Sequence, residues 1–265
     1  MKKWVFNGKV WRVAVMGITR NGKSEVTQTW TMLYIDIFNN ALKEGRLNLL
    51  EPEAKSICVL YDIPTPLFEV ASTPERAEEF AKKIGYPVVL KIVSPDILHK
   101  TDAGGVAVGI KNNAELKKEF EEMLQRVKNY KKDAKIVGVL IQKMAPSSTE
   151  VIIGGLKDPQ FGQTLMFGLG GIFVEVLKDV AFRIAPINAK DAMEMIREIK
   201  AYPILEGYRN QPPVDKEAII NILLNASKLM LDHPEINQMD LNPVLVYEKG
   251  ASVVDARIIL EKGKN

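Results

Sequence analysis

The sequence predicts an α+β protein with two lobes, and two features of its pattern carry this prediction. Short apolar runs such as Tyr86–Leu90 and Ile136–Gln142 are bounded by turn residues, which is typical of buried strands. Between such runs lie longer stretches with one apolar side, such as the segment that carries Leu116 and Phe120, and these indicate helices. A length of 265 residues is enough for two small domains.

We place the first lobe at residues 47–135. Its first helix is expected to begin at Pro52, because a proline flanked by acids favours a helix N-terminus. A strand at Leu67–Ala71 is followed by a helix that ends at Gly85. Two strands joined by a long loop and a final helix complete a β-α-β-loop-β-α order.

We place the second lobe at residues 136–262, and it is richer in strands. Strands are expected at 136–142, 150–156, 164–167 and 181–185, and helices at 189–199 and 216–231. The lobe closes with a hairpin that pairs Gln238–Val246 with Ala251–Asp255 across a Glu-Lys-Gly turn.

Residues 1–46 form an extension of uncertain structure. Gly17–Ser24 fits the phosphate-loop pattern GxxxxGK[ST], between a possible strand at Trp11–Met16 and a possible helix at Glu25–Leu42. That pattern needs a multi-strand βαβ domain behind it, and the chain continues into a different pattern instead. A phosphate-loop NTPase is therefore the weakest of the functions considered, and Lys23 is not expected to bind phosphate.

Composition excludes several classes of protein. The net charge of +3 favours an anionic ligand only weakly, and an aromatic content of 7% argues against nucleic-acid stacking. No apolar run is long enough to span a membrane. The single cysteine, Cys58, lies in an apolar helical pattern and forms no intramolecular disulfide, as expected of a cytoplasmic protein.

The loop between the two inner strands of the first lobe carries the clearest functional pattern. Lys91 ends one strand, and the loop then presents His99, Lys100 and the pair Gly104–Gly105. Glycines let backbone approach a ligand, and successive N–H groups form an anion-binding concavity. A polyphosphate is the ligand that this pattern favours, although an ordinary hairpin with a solvated tip fits the same residues equally well.

The terminal hairpin carries a second candidate site. Asp240 and Asn242 alternate along one strand and so share a face, and Asp255 is expected on the partner strand. A few convergent oxygen ligands suit a Mg²⁺ ion that keeps waters and shares phosphate oxygens. On these residues alone, a solvated pair of acids is the simpler reading.

Three separated motifs together resemble one known family. They are VVLKIVSPDILHKTDAGGV at residues 88–106, MDLNPV at 239–244 and VVDARI at 253–258. Together they resemble the ATP-grasp module of the ADP-forming acyl-CoA synthetases, in particular the β subunit of archaeal acetate–CoA ligases. The resemblance spans roughly Leu49–Leu260 and implies an α+β ATP-grasp fold with ATP or ADP bound between two lobes.

The resemblance implies a role for each matching residue. Asn242 and Asp255 become Mg²⁺ ligands, and Asp240 takes the place of an acid that orients a phosphohistidine. The residues implied to bind the nucleotide are Lys91, Lys100, the hinge residues Gln142, Lys143 and Met144, and the acids Glu150 and Glu175. A plain tight turn is nearly as good a reading of Gly168–Gly171, which precedes Glu175.

In this family the loop histidine, here His99, is thought to accept phosphate from a partner subunit and pass it to ADP. The implied reaction is acetyl-CoA + ADP + phosphate to acetate + CoA + ATP. The chain has no glycine fingerprint for CoA, so the resemblance also implies a CoA-binding α subunit in an α2β2 or larger assembly. Two alternatives stay open: a stand-alone ATP-grasp ligase that forms acyl-phosphates, and a non-catalytic nucleotide-sensing subunit.

Overall fold

The computed structural model describes residues 2–6, 9–13, 37–171, 178–209 and 212–261, which fall into two compact units. The first unit comprises residues 1–40 and 67–144, and the second comprises residues 41–66 and 145–265. Within the described residues, no helix combines the length and the hydropathy that crossing a lipid bilayer requires.

The first unit is a four-stranded antiparallel sheet covered on one face by two helices. Its strands are β3 (Phe68–Ala71), β4 (Val88–Val93), β5 (Val106–Ile110) and β6 (Gly138–Lys143), in the order β3-β6-β4-β5. The helices are α3 (Pro74–Ile84) and α4 (Asn113–Tyr130). Phe80, Leu116 and Phe120 from these helices pack on Leu90 and Ile141 of the sheet.

The ends of α3 follow the sequence signals. The Thr73 side chain accepts a hydrogen bond from the Arg76 N–H at the N-terminus, and Pro74 occupies the first turn. Gly85 ends the helix at φ +78°, a backbone conformation that favours glycine. The predicted stop at Gly85 is therefore confirmed.

The second unit is built on a six-stranded antiparallel sheet. Its strands are β7 (Thr149–Asp158), β8 (Gly162–Leu169), β9 (Val180–Ile184), β10 (Ile236–Val246), β11 (Ala251–Val253) and β12 (Ala256–Leu260). The order is β11-β10-β7-β8-β9, with β12 also paired to β10. The expected C-terminal hairpin is present, but its second arm is broken into β11 and β12, with Val254 and Asp255 in the gap.

Among the described residues of this unit, four helices accompany the sheet: α2 (Glu51–Leu60), α5 (Ala189–Glu198), the single turn α6 (Tyr202–Leu205) and α7 (Lys216–Asp232). α7 lies close against β7, where Gly155 has no side chain and a Cβ would come within 2.9 Å of the Met230 sulfur. α2 packs near β12 and carries Cys58, which is fully buried, and burial raises the pKa of its thiol to about 12.

The division between the units differs from the predicted boundaries of 47–135 and 136–262. β6 pairs with both β3 and β4, so it is an inner strand of the first sheet and not the first strand of the second lobe. Residues 41–66 belong to the second unit because backbone hydrogen bonds tie them there: Leu49 N–H to Ile258 O and Val253 N–H to Pro64 O.

The N-terminal extension is described only in part. β1 (Lys2–Phe6) and β2 (Lys9–Val13) pair as an antiparallel hairpin. β2 includes the first three residues of the predicted strand at Trp11–Met16, and residues 14–16 lie outside the described residues. Residues 37–43 form the helix α1. The phosphate-loop match at Gly17–Ser24 and most of the predicted helix at Glu25–Leu42 lie outside the described residues.

Candidate nucleotide and phosphoryl-transfer site

In the first unit, Lys91 and Gln142 lie on the sheet face opposite α3 and α4. Alternation along β4 places Leu90 and Ile92 in the core under the helices, so Lys91 points to the other face. Lys91 is opposite Leu140 and Val89 is opposite Gln142, which makes Lys91 and Gln142 diagonal neighbours. Lys91 is only 5% exposed, an unusual environment for an ammonium group.

The loop between β4 and β5 differs from the predicted anion-binding concavity. The N–H groups of Ala103, Gly104 and Gly105 donate to the carbonyls of His99, Thr101 and Lys100, respectively. The glycines also serve packing. A Cβ on Gly105 would lie 2.4 Å from Ile92 Cγ2, and the Gly104 carbonyl accepts a hydrogen bond from Arg126 Nε at 3.1 Å. The expectation that these backbone N–H groups cradle a phosphate is therefore wrong.

The side chains of this loop differ in their exposure. His99 is exposed, Lys100 is half-buried, and the neighbouring Leu98 is also exposed. The start of the loop is fixed by Asp96, whose carboxylate accepts a hydrogen bond from the Lys135 N–H at 2.7 Å. The structure thus presents an exposed imidazole on a loop whose backbone is held at both ends.

The hinge residues have local partners within the first unit. The Lys143 ammonium donates to the carbonyls of Gly85 and Tyr86, at 2.9 and 3.0 Å, and so satisfies groups at the C-terminal end of α3. The Lys143 and Met144 N–H groups donate to Leu67 O and Pro87 O. Gln142 is buried. The Lys143 side chain is therefore already engaged by the fold.

In the second unit, the three residues predicted at the terminal hairpin come together. Asp240 and Asn242 lie on β10, and Asp255 lies in the gap between β11 and β12 rather than on a strand. The Asn242 N–H donates to the Asp255 carbonyl at 3.2 Å, and the Val254 N–H donates to the Pro243 carbonyl at 2.9 Å. These two bonds hold the gap against the segment that carries Asn242.

Asp240 has the most unusual electrostatic environment of the three. One carboxylate oxygen, Oδ1, is buried and has no hydrogen-bond partner. Burial raises the pKa of the Asp240 carboxyl, and the negative charge of Asp255 raises it further, while the Arg257 guanidinium opposes the shift. A buried acceptor without a donor is costly in a folded protein, so this oxygen marks a place where a ligand or cation fits.

The donor set fits a magnesium ion. Asp240, Asn242 and Asp255 offer carboxylate and amide oxygens. The buried Asp240 Oδ1 has no hydrogen-bond partner and lies near the negative charge of Asp255, so a cation nearby would stabilise it. Among the described residues, no group of three or more His, Cys, Asp or Glu side chains is arranged to hold a metal. A site with one acid and one amide as ligands, beside a second acid, suits an ion that completes its shell with water and phosphate oxygens.

Of the other two acids predicted to bind the nucleotide, the structure describes Glu150 but not Glu175. Glu150 is exposed on β7, and its carbonyl accepts a hydrogen bond from the Gly170 N–H at 2.7 Å. A Cβ on Gly170 would lie 2.9 Å from the Cβ of Glu150, so glycine is required there for the close approach. Glu175 lies outside the described residues.

Sequence reasoning missed a cavity of about 790 Å³ in the second unit, on the same sheet face as Asp240. Its walls come from alternate residues of β7, β8, β9 and β10, including Leu156, Met166 and Phe182. The sequence contains one indication of this apolar face. Every residue of Val180–Ile184 except Arg183 is apolar, so both faces of this strand carry apolar side chains.

Comparisons with known proteins agree with this fold. A family model described as an ATP-grasp domain matches residues 40–260. The β subunit of acetate–CoA ligase (ADP-forming) I from Pyrococcus furiosus is 55% identical over 225 residues, which is 85% of this chain and 97% of that protein. The chain belongs to the ATP-grasp family and, within it, to the β subunits of the ADP-forming acetate–CoA ligases.

Solved structures of similar proteins contain nucleotide analogues. Acetyl-coenzyme A synthetase 1 of Candidatus Korarchaeum cryptofilum, in complex with coenzyme A and Ca-AMPCP, is 49% identical with a TM-score of 0.84. The match covers 85% of this chain and 99% of that one. A second structure of that enzyme, 46% identical with a TM-score of 0.77 over 86% of this chain and all of that one, contains Mg-AMPPCP. Its phosphohistidine segment points towards the nucleotide-binding site.

Proposed function

We propose that this chain is the nucleotide-binding β subunit of an ADP-forming acyl-CoA synthetase. The reaction is acetyl-CoA + ADP + phosphate to acetate + CoA + ATP, and it runs in both directions. The β subunit supplies the ADP and ATP half. A CoA-binding α subunit supplies the acyl half and the first phosphohistidine, in a hetero-oligomer such as α2β2.

The observation that carries this proposal is the cluster of Asp240, Asn242 and Asp255 in the second unit. Two carboxylates lie close enough for one to raise the pKa of the other, and one of their oxygens is buried without a donor. Such a cluster is unstable alone and becomes stable when a cation or an N–H donor arrives. Phosphoryl transfer between a histidine and ADP brings both.

Magnesium is the metal that the donor set fits, with Asn242 and Asp255 as its protein ligands. When bound, the ion neutralises negative charge on the phosphate oxygens. Asp240 then has a separate task. Its carboxylate accepts an N–H from a histidine ring, which fixes the tautomer and leaves the other ring nitrogen to carry the phosphoryl group.

In the first unit, Lys91 and Lys100 offset the charge of the phosphates. The Gln142–Met144 segment lines the adenine, and Lys143 contributes through its backbone because its ammonium is held by Gly85 and Tyr86. In the second unit, Glu150 and Glu175 line the nucleotide on the ribose or metal side.

The phosphoryl group is transferred in two steps. His99 receives a phosphoryl group from the partner's phosphohistidine and forms a new P–N bond as the first one breaks. An oxygen of the ADP β-phosphate then attacks this phosphorus, and the P–N electron pair returns to the imidazole. The exposed position of His99 lets both partners reach it.

The proposal is tested by calorimetric titration of the chain with Mg·ATP. Lys91→Met keeps the length of the buried side chain, and Asp255→Ala removes a ligand oxygen. Each substitution should weaken binding by about 1.5–3 kcal/mol, or roughly 10- to 150-fold in Kd, as expected for a lost charged contact. Lys118→Ala and Asp133→Ala, at exposed positions, serve as controls.

Unchanged Mg·ATP affinity in both site variants contradicts the assignment. Activity assays distinguish the two-subunit synthetase from a stand-alone ligase. The chain mixed with its α subunit should form ATP from acetyl-CoA, ADP and phosphate, whereas the chain alone should not. Formation of an acyl-phosphate from acetate and ATP without any partner would instead identify a stand-alone ligase.

A further inference from the structure

His99 lies at the apex of the loop between β4 and β5, and a buried residue anchors the loop on each side of it. Ile97 is 4% exposed and Ala103 is 3% exposed, and both belong to the hydrophobic core of the first unit. Between these anchors, Leu98 and His99 are exposed. The Ala103 N–H donates to the His99 carbonyl at 3.3 Å, which closes the apex into a single turn. The direction of the imidazole therefore depends on the backbone between the two anchors.

After Ala103 the chain returns towards β5 through Gly104, and one side chain of α4 lies against this glycine. Arg126 Nε donates to the Gly104 carbonyl at 3.1 Å. A Cβ at Gly104 would come within 3.0 Å of Arg126 Nε and 3.1 Å of its Cδ, so the side chain lies directly on the backbone. Gly104 cannot move towards α4 unless Arg126 is displaced.

Arg126 is itself held by a second residue of α4. Its Nη2 pairs with the Glu119 carboxylate, and its Nη1 is 4.0 Å from the Glu122 carboxylate. These contacts use the outer nitrogens of the guanidinium and leave Nε for the loop. Because the guanidinium is a rigid planar fork, its pairing with Glu119 also sets the direction of the Nε–H bond.

This arrangement fixes a direction more effectively than it stabilises the fold. The Arg126 side chain is 40% exposed, and ion pairs at such positions contribute little to stability. Ile97 and Ala103 already anchor the loop by burial. The contact between Arg126 and the Gly104 carbonyl therefore adds precision at the end of a loop that is already attached to the core.

We propose that Arg126 is a positioning residue for phosphoryl transfer through His99. By donating to the Gly104 carbonyl, it fixes the turn that begins at the His99 carbonyl and closes at Ala103. In this role Arg126 acts through the loop backbone and does not touch the phosphoryl group. This inference rests on the proposed function, because the direction of His99 matters only if its imidazole accepts and passes on a phosphoryl group.

Phosphoryl transfer is sensitive to a contact of this kind. The attacking atom, the phosphorus and the leaving atom must lie roughly in line. A displacement of about 1 Å, even when it originates away from the reacting atoms, can lower the rate by about 100-fold. Loss of the Arg126 contact should therefore change the rate of transfer far more than it changes nucleotide binding.

The test replaces Arg126 by methionine, which keeps an unbranched side chain on the helix and removes the N–H donors. In the complex with the α subunit, the kcat for ATP formation should fall by about 10- to 100-fold. The KM for ADP and the Kd for Mg·ATP should stay close to the wild-type values. Arg126→Lys keeps a charged donor and should recover part of the lost rate. Arg76→Met, which removes an exposed arginine paired with Glu79 on α3, should match the wild type.

Glu119→Gln provides an independent variant, because it leaves Arg126 in place and removes the carboxylate that orients it. It should lower kcat in the wild-type chain and have no further effect in the Arg126→Met chain, as expected of two residues that act as a unit. Thermal unfolding should give similar Tm values for all of these variants, because the substituted side chains lie on the exposed side of their helices.

Three results would overturn the inference. The first is a wild-type kcat in Arg126→Met, or a loss of Mg·ATP affinity in that variant that accounts for its whole loss of turnover. The second is an Arg126→Lys chain as slow as Arg126→Met, and the third is an additive effect of Glu119→Gln. Failure of the proposed function looks different, because then the wild-type complex forms no ATP from acetyl-CoA, ADP and phosphate.

Discussion

At Asp240, the carboxylate that the proposed function requires lowers the stability of the fold. The pKa of the Asp240 carboxyl is higher in the folded chain than in the unfolded chain. Between these two pKa values the folded chain binds more protons than the unfolded chain. The free energy of unfolding therefore falls as the pH rises through that range. Asp240→Asn removes the charge and the repulsion by Asp255. We expect a higher Tm near pH 7 and a difference from wild type that shrinks as the pH falls and Asp240 becomes protonated.

Thermal unfolding of both chains across pH 3–8 checks this expectation. Arg257→Gln is the counterpart, because it removes a positive charge that favours ionised Asp240, and it should lower the Tm at neutral pH. A lower Tm for Asp240→Asn at neutral pH would mean that the carboxylate is satisfied in the folded chain. The same Asp240→Asn change should impair phosphoryl transfer, because the histidine tautomer is no longer fixed.

At the residue scale, the sequence predicts chemistry better than it predicts contacts. Asp240, Asn242 and Asp255 are found together because strand alternation and a short turn leave few other arrangements. Lys143 shows the limit. Its ammonium is held by the carbonyls of Gly85 and Tyr86, which lie 58 and 57 residues away in the chain, and no local pattern reveals such a partner.

The loop between β4 and β5 is the element on which the position of His99 depends. Gly105→Ala should destabilise the fold by about 1–3 kcal/mol, as overpacking does, because the new Cβ meets Ile92 and the Lys100 carbonyl. Gly109→Ala is a useful comparison, since its Cβ meets no atom within 4 Å and only its φ of +77° is unfavourable.

Denaturant unfolding of the two glycine variants separates packing from backbone strain. The larger loss should belong to Gly105→Ala, and its hydrogen exchange should speed up at the amides of residues 103–105. Equal stability losses in the two variants, with unchanged exchange in the loop, would mean that the loop does not depend on this close packing.

Most helices and strands follow from local signals, but their partners do not. The stop at Gly85 and the helix that carries Leu116 and Phe120 are both present as predicted. β6 was correctly expected as a strand, yet it belongs to the first sheet and not the second. An apolar run reports that a strand is buried and carries no information on which strands lie beside it.

At the scale of the whole molecule, the extension that the sequence leaves without a predicted structure contributes to the fold. Its last residues include α1, where Phe38 and Ala41 are buried. Arg46 also pairs with Glu53 of α2 at 2.8 Å. We therefore expect a chain beginning at Ile37 to fold and bind Mg·ATP normally, and a chain beginning at Leu47 to be less stable.

Comparison of the two truncated chains by thermal unfolding and by calorimetric titration with Mg·ATP tests this. Lys23→Ala in the full chain is the matched control for the phosphate-loop pattern, and it should bind Mg·ATP like the wild type. If Lys23→Ala or the chain from Ile37 loses nucleotide binding, the first 36 residues take part in the site after all.

The central claim is that phosphate reaches ADP through His99, and one substitution tests it most directly. His99→Asn keeps the size and one hydrogen-bonding group but removes the nucleophile. In the complex with the α subunit, ATP formation should fall by more than about 100-fold, the range for loss of a positioned catalytic group, while Mg·ATP affinity is unchanged. If the His99→Asn complex keeps near-normal synthetase turnover, phosphate passes to ADP without this residue and the claim is contradicted.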